Sequence, residues 1–151
     1  MSSIFAVTLS VHVIAGLVGA IGIFAITMSL AGRKPSLPFL KITSATALFS
    51  FLASWFTGGY YYVLRYGSEV KPIIKAGDNP WAHALFMEAK EHVFLFLPVL
   101  AFLFFLLFFL MGEEVLANQK YKKVVLMLGI LASLIALFIT LAGVLISGSA
   151  Q

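Results

Sequence analysis

The sequence predicts an all-α membrane protein, a bundle of four transmembrane helices running up-down-up-down. Three observations lead there. Hydrophobic residues make up 62% of the 151-residue chain and charged residues only 11%, which lies outside the range of soluble domains. The apolar residues fall into four long runs, each able to cross about 30 Å of hydrocarbon at the helical rise of about 1.5 Å per residue. Most of the charge sits in the short connections between the runs, the pattern of helices packed beside their sequence neighbours.

Ile4 to Ala31 is interrupted only by Thr8, Ser10, His12, Thr27 and Ser29, and gives a first helix over 4–31. No positive charge precedes it and Arg33 and Lys34 follow it, so it is expected to be retained rather than cleaved as a signal peptide. After Pro35 and Pro38 a second helix is expected over about 39–64. Its Thr43, Ser44, Thr46, Ser50, Ser54, Gly58 and Gly59 are the small and hydroxyl residues of a helix packed against helices. Its end, W-F-T-G-G-Y-Y-Y, brings Trp55 and Tyr60 to Tyr62 to a membrane–water interface.

A polar connection is expected from Arg65 to Pro80, closing on the helix-start signal Asp78-Asn79-Pro80. A third helix over about 80–111, kinked at Pro98, and a fourth over about 124–146 complete the bundle, separated by Gly112 to Lys123. Arg33, Lys34 and Lys41 in and beside the first connection, with Lys120, Lys122 and Lys123 in the third, mark those connections as cytoplasmic. Both termini and the second connection then lie outside, in an inner or cytoplasmic membrane. The whole chain, 1–151, reads as one membrane domain without internal repeat.

With no cysteine there is no disulfide, thiolate metal site or covalently attached haem. The net charge of +4 is spread over connections, not gathered into the basic stripe that nucleic acid requires. No Ser-His-Asp set, phosphate loop or zinc-protease motif is present, so a hydrolase is not expected and any enzymatic role is at most a redox one.

Chemistry is expected in W-A-H-A-L-F-M-E-A-K-E-H, residues 81–92, together with His12. Counting from the cytoplasmic ends, Ala31 back to His12 and Met111 back to His92 are equal, which puts both histidines at one depth, about 28 Å in, near the outer boundary of the hydrocarbon. The first reading is therefore a b-type haem between helices one and three, ligated by His12 and His92. Gly16, Gly58 and Gly59 would make room for the macrocycle, Glu88 or Glu91 would orient an imidazole, and Lys90 would meet a propionate. Electron transfer, with quinol near Tyr60 to Tyr62 and Trp81, is the role implied. The architecture resembles small four-helix membrane proteins that carry b haem, without a residue-by-residue motif.

A second reading places a non-haem divalent metal on His92, Glu88 and Glu91 with His83 or His12, or makes Glu88, Lys90 and Glu91 the carriers of a small transporter. A third makes the chain an accessory or assembly subunit without its own cofactor. Its partners would be the bilayer and other membrane subunits or further copies of itself.

Overall fold

The computed structural model describes residues 3–32 and 34–150, and among these the chain is helical almost throughout, with no strand. Arg33, expected among the cytoplasmic basic residues, lies outside the described residues. Four helices are long and apolar enough to cross a membrane, Ser3–Ala31, Leu37–Ala76, Ala82–Ala117 and Gln119–Gly148.

Helix α1 spans Ser3–Ala31 and helix α2 spans Leu37–Tyr61. Ser36 caps α2 by accepting the Phe39 N–H, and Pro38 occupies its first turn, where no N–H is needed. The helix does not end at Tyr61. Tyr62–Val70 continues it as π-helix and α3, Lys71–Ala76, completes a rod of 40 residues, about 60 Å long.

Most of the polar connection expected over 65–80 is therefore helix, and the link shrinks to residues 77–81. The reason is an apolar stripe. Tyr66, Val70 and Ile74 recur every four residues and pack in one cluster with Ala82, Phe86 and Met87 of the returning chain and with Ile146, while Glu69 and Lys75 stay exposed.

The returning chain is π-helical over Ala82–Met87 and then forms α4, Glu88–Val93, and α5, Phe96–Ala117. The single helix expected over 80–111 is thus broken at Phe94 and Leu95, one turn before Pro98. Proline lacks an N–H and crowds the carbonyl four residues earlier, here Phe94, and the Leu97 N–H takes that carbonyl at 3.3 Å. The connection expected over 112–123 is also mostly helix. Met111 leaves helical geometry (φ −129°, ψ 17°), but α5 continues to Ala117, and α6, Gln119–Gly148, begins at once. Asn118 alone turns the corner, its side chain accepting the Lys120 N–H at 2.9 Å.

Helix α1 packs on α2 and α6, and α5 packs on the same two, so the four close into a ring with α1 and α5 on its diagonal. Along the first interface Gly16, Gly19 and Gly22 face Ser54, Phe51 and Ala47 in turn, and a Cβ at Gly19 would come within 2.8 Å of the Phe51 ring. Between α1 and α6, Thr27 Oγ1 donates to the Ile23 carbonyl at 2.9 Å, lies 3.2 Å from Ser133 Oγ, and rests on Gly129. Ile23, Ile26, Leu30, Leu40, Phe104 and Phe108 fill the middle. At one end Leu37 covers Gly112 and Lys122 Nζ donates to the Gly32 carbonyl at 2.9 Å; at the other His12 meets Gly58 and Lys90 meets Gly143.

Candidate functional site

His12 is bound into the α1–α2 seam. Its Nδ1–H donates to the Ser54 carbonyl at 2.8 Å, while Ser54 Oγ lies 3.0 Å from the same nitrogen and donates to the His12 carbonyl at 2.9 Å. One turn further along α2, Gly58 lies directly against the imidazole, where a Cβ would collide with Nδ1. Gly58 thus clears space for the His12 ring itself. A proton on Nδ1, engaged by a carbonyl, leaves Nε2 with a free lone pair, the arrangement found in metal-ligating histidines.

The orientation of α4 follows from two of its side chains. Glu91 Oε1 accepts the Tyr62 hydroxyl at 2.9 Å, so that side faces the rod. Lys90 reaches α6, its Nζ 3.6 Å from where a Cβ would stand on Gly143. His92, two residues beyond Lys90, is turned from it by about 200° and is exposed. Its Nδ1 is tied to the Glu88 carbonyl at 2.6 Å, so its Nε2 is also free. The Glu88 side chain is exposed too.

His12 and His92 therefore do not share a face. His12 meets Gly58 and Lys90 meets Gly143 at the same end of the bundle, whereas His92 is exposed. Neither Glu88 nor Glu91 supports an imidazole through its carboxylate. Gly16 faces Ser54, and Gly59 is exposed, where an added Cβ would meet nothing within 4 Å. Among the described residues no three His, Asp or Glu side chains converge as a metal cluster.

His83 belongs to a separate cap built on the rod beyond Tyr61. A membrane crossing needs about 20 residues, and the 40-residue rod is twice that length, with most of its charged residues gathered at this end. His83 is only 3% exposed and its Nδ1 lies 3.0 Å from the hydroxyl of Tyr66, itself 4% exposed. Tyr62 stacks on Tyr66 with centroids 5.4 Å apart. Burial pushes the His83 imidazole below its ordinary value; Lys71 and Lys75 push the same way, and Glu88 and Glu91 oppose them. Burial, then the charge of Glu91 and the presence of Tyr62, push the Tyr66 phenol up to about 12. Arg65 pins the start of α1 to the cap, its guanidinium 5.2 Å over the Phe5 ring and 2.8 Å from Glu69.

Sequence reasoning overlooked Ser54, Tyr62 and Tyr66 as partners of its ionisable residues. A signal existed for the tyrosines: Tyr62, Tyr66, Val70 and Ile74 keep a four-residue spacing through a stretch that its charges mark as loop.

Fold and site together define a class: an all-helical chain with four helices of membrane-crossing length and apolarity, and a polar layer at one end of the bundle. Compared with protein-family models, curated proteins and solved structures, the chain finds no match.

Proposed function

We propose that the chain is an integral protein of the cytoplasmic membrane, its helices running up-down-up-down with both termini and the cap outside, and that its outer layer binds b-type haem for one-electron transfer. Topology is supported by the gathering of basic residues at one end, where Lys122 is bonded to the Gly32 carbonyl beside Lys34. The haem reading is carried by one observation, the His12 ring held through Nδ1 at 2.8 Å with Nε2 left free to bind iron. Haem supplies a one-electron couple; His12 would hold the iron and Lys90 would face a propionate.

His92 has the same Nδ1 arrangement, but Glu91 on the rod and Lys90 on α6 hold α4 with His92 on its exposed side, so His12 is the ligand that this layer offers. Trp81 and Tyr60, 45% and 42% exposed, offer an aromatic rim to quinol as redox partner. The test is an optical spectrum of detergent-purified protein from haem-replete cells. A Soret band lost in His12→Ala and kept in His83→Ala supports the reading. A colourless protein that gains no absorbance when haem is added overturns it.

One observation favours the accessory-subunit reading instead. Glu88 and His92 form a polar, outward-facing patch on α4, suited to a neighbouring membrane subunit. That reading expects a stable complex weakened by Glu88→Ala with His92→Ala, and a lone monomer in native membranes counts against it.

A further inference from the structure

Lys90 is the partly buried cation of the His12 layer, and among the described residues no acid pairs with it. Nζ donates to no acceptor among the described residues, where the ion pair formed is Arg65 with Glu69. The two acids nearest in sequence are committed elsewhere, Glu91 to the Tyr62 hydroxyl and Glu88 to the exposed side of α4. The contacts of Glu91 with the rod and of Lys90 with α6 set the rotation of α4 and bring the Lys90 ammonium to the α4–α6 contact. Opposite it stands Gly143, where an added Cβ would lie 3.6 Å from the ammonium, beside the fully buried Ala142. On the far side of the layer the free Nε2 of His12 adds a second polar atom.

An ammonium among apolar helices is costly without a counter-charge, and the usual remedy is an anion that brings its own. We infer that Lys90, beside Gly143 at the contact of α4 with α6, binds the acidic oxyanion of an amphiphile, a carboxylate or phosphate whose apolar part lies along the helices. The depth suits such a molecule, because the oxyanion would sit at the outer boundary of the hydrocarbon with its tail inside. This inference rests on the proposed membrane placement, not on haem. Two sources share the chemistry, a lipid phosphate and the carboxylate of a bound cofactor or fatty acid.

The experiment uses delipidated, haem-free protein in a neutral detergent, titrated separately with phosphatidylglycerol, oleate and oleyl alcohol while the thermal midpoint is followed. At least one of the two acids should raise the midpoint by about 3 °C once tenfold above its Kd, and the alcohol should not. Lys90→Met, which keeps the length and removes the charge, should lose the shift. Lys90→Arg should keep part of it, and Lys71→Met on the cap should keep all of it. A response to oleate alone assigns a carboxylate, and to phosphatidylglycerol alone a phosphate. No acid exceeding the alcohol, or a full shift surviving in Lys90→Met, overturns the inference. A colourless protein that still shows the Lys90-dependent shift removes the haem reading and leaves the anion site standing.

Discussion

Gly58→Ala and Gly59→Ala, identical changes at adjacent positions of α2, should move stability in opposite directions. A Cβ at Gly58 would strike the His12 ring, which its bond to the Ser54 carbonyl at 2.8 Å holds in place; a Cβ at Gly59 would meet nothing within 4 Å. Overpacking costs about 1–3 kcal/mol and a lost hydrogen bond about 0.5–1.5 kcal/mol, while replacing a helical glycine returns about 0.5–1 kcal/mol. Gly58→Ala should therefore destabilise by about 2 kcal/mol, and Gly59→Ala should stabilise by up to about 1 kcal/mol. In a His12→Ala background the ring is gone and Gly58→Ala should turn stabilising, a coupling of about 2–3 kcal/mol between the two sites. Equilibrium unfolding in mixed micelles reads all four proteins. Equal effects at 58 and 59, or a Gly58→Ala cost undiminished by His12→Ala, would refute the seam as described.

Tyr66→Phe removes the hydroxyl beside buried His83 and should loosen the cap by about 1–3 kcal/mol, seen as faster amide exchange over residues 62–93 with the core of α1 unchanged. Because the folded His83 imidazole sits below its ordinary 6.5, the opened cap binds a proton that the closed one does not. Cap stability should thus hold above about pH 6.5 and fall as the pH drops from there toward the folded value, levelling below it; the slope should vanish in His83→Gln, and a slope of opposite sign would contradict the burial argument. The chain has no cysteine, so Lys75→Cys and Lys123→Cys each introduce a lone thiol. An impermeant thiol reagent added to intact cells should label the first and not the second, and the reverse pattern would invert the proposed orientation.

Long apolar runs made the four helices legible, since crossing a membrane leaves little choice of residue. Their ends were not, because charge marks a loop only when no apolar stripe runs through it: Tyr66, Val70 and Ile74 carry the rod past Arg65, and Asn118 needs no more than itself to turn. Gly16, assigned from the sequence to a macrocycle cradle, instead lines the α1–α2 seam with Gly19 and Gly22, three residues apart on one side of α1. Counting along the chain did not give the facing of the site residues. The π-helical turn before α4 and the break after it mean that one regular helix carried through residues 80–111 does not give the directions of Lys90 and His92.

The absorption spectrum of the purified protein, oxidised and then reduced, bears most directly on the proposed function. Expected is a Soret band that shifts on reduction, with α and β bands emerging, and that disappears in His12→Ala. A folded protein from haem-replete cells that shows no visible absorbance, before or after haem is added, would contradict the assignment of a redox role to the His12 layer.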